Sequence, residues 1–282
     1  MRIAIVGAGR LTATLAPALL STGHTITEIV ARDDASSLRR ARTLARMVNA
    51  RVVAARNAQL NARVIWFCVP DGKIREVAEE LVHRGKWTDK IAFHSSGALS
   101  SEELNSLRKR GAAVASVHPM MTFVGGSQSG LRGVPFALEG DRFAISIARQ
   151  IINGFHAKPF VIRRQDKVLY HAWGTFASPL LIALLATTEQ VARASMVSLP
   201  AARKRILPIL NQTLANYAAL GPAKAFSGPM VRGDAEVLWR QLAALKRIPE
   251  ARRVYLALAL SALRFLPTKN RAALRKIFLS EP

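Results

Sequence analysis

The chain is short of cysteine, of acidic side chains and of several catalytic signatures, and each shortage excludes something. Among 282 residues there is one cysteine, Cys68. A disulfide within the chain is therefore impossible, and a lone thiol inside the apolar run 64–69 reads as buried and inert. No group of Cys and His has metal-ligand spacing, so no metal site is expected. No glycine-rich loop ends in Gly-Lys-Ser or Gly-Lys-Thr, which removes the anchor for phosphoryl transfer from ATP. There is no Gly-x-Ser-x-Gly elbow for a serine nucleophile. The sequence opens directly on a strand pattern, with no secretory leader, which predicts a cytoplasmic protein.

Acidic residues number 18 against 41 Lys and Arg, a formal net charge of +23. The excess is evenly spread: residues 1–164 hold 24 basic and 12 acidic side chains, and residues 165–282 hold 17 and 6. With no basic tail or lysine run, no specific nucleic-acid surface is expected, and nucleic-acid binding stands as a minority alternative resting on charge alone. A positive field does suit an anionic cofactor or substrate. Long uncharged runs are scarce. Ala172 to Thr188 carries no charge, but Gly174, Ser178 and Pro179 interrupt it and it barely reaches the length of a span. The expectation is a buried core helix and no membrane segment.

What is present begins at once. Arg2-Ile3-Ala4-Ile5-Val6 is a β-branched run ending in Gly7-Ala8-Gly9-Arg10-Leu11-Thr12, and a helical pattern follows through Leu15, Ala18 and Leu19. A strand, a glycine turn and a helix in that order form the context of a dinucleotide site. Gly7 permits the tight turn, Gly9 lets the backbone approach a pyrophosphate, and the new helix offers its N-terminal amides. Gly7, Ala8, Gly9, Arg10 and Leu11 are thus candidate cofactor-binding residues. Thr12 stands where a Gly or Ala usually allows close helix–strand packing.

The second strand, Ile26 to Ala31, should end near the adenosine ribose. An NAD enzyme places Asp or Glu there; this chain has Arg32, followed by Ser36, Ser37, Arg39 and Arg40. A guanidinium at that point suits a 2′-phosphate, so NADP is expected over NAD, with Arg32 and Ser36 as candidate ligands and Ser37, Arg39 and Arg40 as further phosphate donors; the alternative for Arg39 and Arg40 is a solvated helix start. Asp33 and Asp34 act against this preference.

Further along, helix 38–47, strand 51–53, strand 62–69, helix 74–81, strand 90–94, helix 101–110 and strand 113–117 alternate. A strand at 134–138, a helix at 142–154 and a strand at 158–162 follow. Alternation of this kind predicts a doubly wound α/β sheet, and ligands of such sheets lie beyond the carboxyl ends of the strands. Gly7–Gly9, Arg32, Val69-Pro70-Asp71, Ser95-Ser96-Gly97 and His118 all fall at that edge. Val69, Pro70 and Ser95 are read as cofactor contacts. Residues 120–135, rich in Gly and Ser, should form a loop over the site. Strand signals stop near residue 165, so the expected division is a Rossmann domain at 1–164 and an all-α domain at 165–282.

Hydride transfer needs a substrate placed against nicotinamide and a group that manages a proton. His118, at a strand end and followed by Pro119, is the first candidate, with a loop-bonding histidine as the alternative. Ser96 is a candidate substrate contact; His94 reads as satisfying backbone groups, and Ser100 or Ser101 as a helix cap. Lys167, Tyr170 and His171 share one helical face by their spacing, and Lys167 and His171 are candidate catalytic residues. Arg232, in Gly228-Pro-Met-Val-Arg-Gly-Asp234, is a candidate clamp for a substrate carboxylate, while Asp234 equally suits a helix cap.

The segments GAGRLT, ARDD, VPDGKI, HSSGAL, SVHPMMTF, YHAWGTFASPLL and GPMVRGD together resemble a family of bacterial Rossmann-like oxidoreductases of unassigned substrate. The C-terminal half of that family is a domain of unknown function. The family is similar to pyrroline-5-carboxylate reductase, ketopantoate reductase and deazaflavin-dependent NADP reductases. The resemblance implies a C-terminal domain of the 6-phosphogluconate dehydrogenase type and a homodimer formed through it. By analogy with prephenate dehydrogenases, it implies substrate contacts at Ser96 and His118. The chain departs from the family at Thr12 and at Pro179, where an asparagine is usual; Pro179 should kink its helix. The function expected is NADP-dependent hydride transfer to or from a small anionic metabolite. The alternative is a non-catalytic NADP-binding regulator or partner-binding protein.

Overall fold

Ile3 and Ile5 point to one side of the first strand and Ala4 and Val6 to the other, and both sides are covered. That two-sided burial is what a parallel sheet between helical layers requires. The structure is a computed structural model that describes residues 1–124 and 130–279. Its eight strands are β1 (Arg2–Val6), β2 (Thr25–Ala31), β3 (Arg51–Ala54), β4 (Val64–Phe67), β5 (Ile91–His94), β6 (Ala113–Pro119), β7 (Pro135–Gly140) and β8 (Lys158–Val161). They form one sheet in the order β3-β2-β1-β4-β5-β6-β7-β8. All neighbours run parallel except β6 and β7. The strand order reverses between β1 and β4, which opens a crevice at their carboxyl ends.

Helices α1 (Arg10–Ser21), α2 (Ala35–Val48), α3 (Ile74–Leu81), α4 (Asn105–Arg108) and α5 (Arg142–Gly154) connect the strands. One face of the sheet packs Trp66, Phe93 and Phe136 against Leu15, Leu19 and Ile151. The other packs Phe67, Ile65 and Val114 against Leu81, Leu104 and Leu107. Cutting one of the aromatics back to alanine costs about 3–5 kcal/mol, a large part of a typical domain's stability. The helix expected at 101–110 is shorter: Ser101–Leu104 is a 3-10 turn, and only Asn105–Arg108 is α-helical. Ser100 caps the turn, accepting from the Glu102 amide.

The first compact unit runs Met1–Thr175 and takes in most of α6 (Lys167–Ala177); the second begins at Phe176. The second contains α7 (Pro179–Ala194), α8 (Leu199–Ala225, broken at Gly221 with φ 73), α9 (Pro229–Arg232), α10 (Ala235–Leu245), α11 (Pro249–Phe265) and α12 (Arg271–Leu279). Its core gathers Leu238, Leu242, Ala259, Leu263, Leu274 and Phe278.

The expectation of a buried helix over Ala172 to Thr188 is corrected. Only 6% of the apolar window within 164–194 is buried, and α7 has no buried residue. Apolar composition misled here because the core of the unit is built from α10, α11 and α12 and takes in no residue of α7. By length and hydropathy the stretch meets the measure of a membrane span. Pro179 interrupts it, occupying the first turn of α7 after Ser178 at φ −126, ψ −80. A proline there costs no hydrogen bond, so it starts a helix and does not merely bend one.

Candidate functional site

A cavity of about 520 Å³ lies at the β1/β4 crevice, lined by Gly7, Ala8, Gly9, Arg32, Ser37, Arg40, Cys68, Val69, Pro70 and Lys73 among others. Its shape follows from two glycines with different duties. Gly7 sits at φ 111, and a Cβ there would fall 2.3 Å from the Cys68 carbonyl oxygen. The position is closed to any side chain by the neighbouring strand. Gly9 has only that same oxygen nearby, at 3.9 Å, so the fold itself leaves room for a Cβ. Gly9 caps α1 without a side-chain bond, and the first intrahelical bond runs from Ala13 N–H to the Gly9 carbonyl. The amides of the first turn, from Arg10 and Leu11 onward, are those a helix leaves for an anion.

Thr12 is fully buried, and its hydroxyl donates to the Gly7 carbonyl at 2.9 Å. The bulk that looked awkward in sequence is thus a tie that holds the glycine turn. Cys68 is half-buried beside it, and burial pushes its thiol up to about 12, against weaker bonds to Thr12 and Ser95. It stays protonated and unreactive at neutral pH.

At the far end of the cavity two guanidinium groups converge on one hydroxyl. Arg32 Nη2 and Arg40 Nη2 donate to Ser37 Oγ at 3.2 and 3.1 Å. The two carboxylates that argued against a phosphate here both pair with arginines, Asp34 with Arg32 itself at 3.5 Å. Asp34 caps α2, accepting from the Ser37 amide at 2.8 Å and from the Ser36 hydroxyl at 2.7 Å, and these bonds hold its pKa far below the usual range. Asp33 pairs with Arg56. Ser36 therefore faces Asp34, whereas Ser37 lines the cavity. Of the possible phosphate donors read from sequence at 36–40, Ser37 and Arg40 line the cavity; Lys73, from the turn after β4, was not singled out.

A second cluster forms along the same edge, two and three strands away. Phe67 pairs with His94 and His94 with Ser116 in register, so the ends of β4, β5 and β6 stand side by side. With strands about 4.8 Å apart, His118 on β6 is about 14 Å from the Gly7 turn on β1. That span suits a dinucleotide laid across the strand ends.

His118 Nδ1 lies 2.9 Å from the Tyr170 hydroxyl. The His171 ring packs edge-on to His118 with centroids 5.8 Å apart. Gly97 sits between the two imidazoles; a Cβ there would fall 2.5 Å from His171 Cδ2 and 2.8 Å from His118 Nε2. Burial, then the fields of His171, Lys167 and His94, lower the His118 pKa to about 3. The ring is neutral at physiological pH. Burial raises Tyr170 to about 12, so its hydroxyl keeps its proton.

Beneath this pair, Lys167 is buried, donating to Ser116 Oγ at 2.7 Å and to the Ser96 carbonyl at 3.3 Å. Ser96 Oγ donates to Asp71 at 2.6 Å and accepts from the Leu99 amide at 2.9 Å. His94 does satisfy backbone groups, with Nε2 at 2.9 Å from the Ser100 carbonyl and Nδ1 accepting from the Ser96 amide. Ser95 is bonded to Trp66 Nε1 at 2.8 Å and does not line the cavity. The structure thus brings together Ser96, His118, Lys167 and His171, with Tyr170 of the same helical face, and adds Asp71 and Ser116. Arg232 lies in the second unit, exposed and paired with Asp234 at 2.6 Å. Asp234 holds the cap position of α10 but makes no capping bond. Residues 125–129 of the loop expected over the site lie outside the described residues. Among the described residues no group of His, Cys, Asp and Glu could hold a metal ion.

Comparison with known proteins gives the fold a family setting. Residues 1–119 match a Rossmann-like domain and residues 134–262 a domain of unknown function, DUF2520. No curated protein matches the chain. Among solved structures it is similar to a provisionally named NADP oxidoreductase from Bacteroides fragilis, with TM-score 0.77 and 21% identity over 92% of this chain and 96% of that one. A Thermotoga maritima protein gives 0.72 and 25% over 99% and 98%. A reductive aminase from Aspergillus terreus, in complex with NADPH and ethyl-5-oxohexanoate, gives 0.65 and 16% over 98% and 99%. This chain therefore carries a Rossmann-like domain at its N-terminal end, followed by the DUF2520 domain.

Proposed function

We propose that the protein is a cytoplasmic, NADP-dependent oxidoreductase that moves hydride between nicotinamide and the C=O or C=N carbon of a small, anionic metabolite. The observation that carries the reading is the convergence of Arg32 and Arg40 on Ser37 at one end of a cavity whose other end is the Gly7–Gly9 turn. A 2′-phosphate between the guanidinium groups and a diphosphate at the α1 amides account for both ends. The names of the similar structures, which include NADPH complexes, agree with it. The chain's net charge of +23 favours an anionic substrate.

Bound there, the cofactor supplies the hydride; the chain's residues supply orientation and a proton. With the Tyr170 hydroxyl donating to Nδ1, the His118 ring carries its proton on Nε2. A neutral imidazole N–H of lowered pKa is a hydrogen-bond donor suited to charge developing on a carbonyl oxygen or imine nitrogen. As Nε2 gives its proton to the product anion, Nδ1 takes the one from Tyr170; the ring stays uncharged, and the phenolate so formed recovers its proton from solvent as the site opens. The bare Gly97 leaves Nε2 its space. Fluorescence titration should show NADPH bound more tightly than NADH, and a panel of keto and imino acids should reveal NADPH oxidation. Tight NADPH binding with no turnover across the panel marks a nucleotide-binding regulator instead.

Self-association through the second unit belongs to the same reading. Ile182, Leu207, Ile209 and Leu214 of α7 and α8 are exposed in the single chain, an apolar load suited to a second copy. Light scattering that returns the mass of one chain at micromolar concentration contradicts it.

A further inference from the structure

Two strand residues and two helix residues meet as rungs. On β6, Ser116 and His118 are two apart and share a face; on α6, Lys167 and Tyr170 are three apart and share a face. The rungs measure 2.7 Å from Lys167 to Ser116 and 2.9 Å from Tyr170 to His118. The Tyr170 rung belongs to the mechanism above. The Lys167 rung is unexplained by it.

A buried ammonium is an expensive way to fill space, and a methionine would pack the same stem. Its bonds show what it does. The Ser96 carbonyl accepts from both Lys167 Nζ and Ser116 Oγ, so one ammonium draws the ends of β5 and β6 together. The residue after Ser96 is Gly97, which abuts His118 Nε2. We infer that Lys167 is a positioning residue: it clamps the Ser96–Gly97 turn onto Ser116 and so seats the His118 ring between Gly97 and Tyr170.

The electrostatics agree. Burial brings Lys167 down to about 8, with Glu139 and Asp71 opposing the drop, so it is charged at neutral pH. Its charge acts on His118 together with those of His171 and His94. Titratable groups around the ring are Lys167, Tyr170 and His171 from α6 and His94 from β5, with Asp71 and Glu139 facing the ammonium.

The inference uses the proposed role of His118, but its test does not. In ligand-free protein, NMR of labelled histidine, with His118 assigned by its loss in His118→Asn, reads the ring directly. Wild type should keep His118 neutral well below the ordinary imidazole range. In Lys167→Met the His118 signal should move and its titration should rise; Lys167→Arg should restore the low titration in part. If Lys167→Met does not fold, wild type serves alone: raising the pH through about 8 should step the His118 signal as Lys167 loses its proton. A His118 signal indifferent to that step, or unchanged in a folded Lys167→Met, overturns the inference. Where turnover is measurable, Lys167→Met should lower kcat about tenfold or more while KM for NADPH stays within about twofold. NADPH binding that fails altogether, with the NMR result intact, sinks the functional reading and spares this one.

Discussion

The Tyr170 hydroxyl stands 2.9 Å from His118 Nδ1, a bond that joins α6 to a strand end 52 residues earlier in the chain. With the phenol donating, the proton of the neutral ring sits on Nε2, which makes the phenol oxygen worth testing. Tyr170→Phe keeps the ring packing against Phe160 and Trp173 and removes the bond alone. Turnover should fall about 10²-fold with NADPH affinity unchanged. Single-turnover kinetics separate this from a binding defect, and an unchanged kcat removes Tyr170 from the proton path.

Discrimination between cofactors should reside in Arg32 and Arg40. Each charge-assisted bond to a phosphate is worth about 1.5–3 kcal/mol. Arg40→Ser should therefore weaken NADPH binding about 10- to 100-fold while leaving NADH nearly untouched, and Arg32→Asp should reverse the preference. Equal losses for both nucleotides would mean the arginines are not reading the extra phosphate.

The two turn glycines should fail differently. Gly7→Ala forces a Cβ into the Cys68 carbonyl at a positive φ, so the melting temperature drops. Gly9→Ala meets nothing closer than 3.9 Å, so the melting temperature holds while nucleotide affinity collapses. Calorimetry with and without NADPH distinguishes the two outcomes. A Gly9→Ala protein that still binds would place the diphosphate elsewhere.

Acid should destabilise the fold through its buried imidazoles. Burial lowers His94 to about 4 and His118 to about 3, against about 6.5 in an unfolded chain. Between those values the unfolded state binds more protons, so stability is full above about pH 6.5 and declines as the pH falls toward about 4. Replacing His118 with Gln should remove about one proton from the uptake on unfolding. A Tm that is flat across this window contradicts the buried, neutral state of both rings.

Much of the sheet was readable because β1 and β4 are β-branched or aromatic runs followed within three residues by Gly or Pro, and β5 is an apolar run closed by Ser95. The cradle was readable for the same reason: Gly7 and Gly9 lie where a strand hands over to a helix. The cluster around His118 was only half visible. Periodicity placed Lys167, Tyr170 and His171 on one face, but Asp71 and Ser116 become partners only through strand order, which a linear chain does not display. Local pattern cannot say whether Ser36 or Ser37 turns toward the ligand, since that depends on how Asp34 caps α2. The exposed α7 shows a further limit: apolar composition reports that a surface avoids water, not whether its own chain covers it.

The carboxyl ends of β1, β4, β5 and β6 are bound to one another through the main chain, so the interval from the glycine turn to the end of β6 follows peptide spacing, and Lys167 fixes only the turn after β5. Substitutions along α6 can then retune acidity around His118 without moving the strand ends that carry the glycine turn and the histidine. A scaffold with that division of labour can diversify its chemistry among descendants while every one of them keeps the same coenzyme.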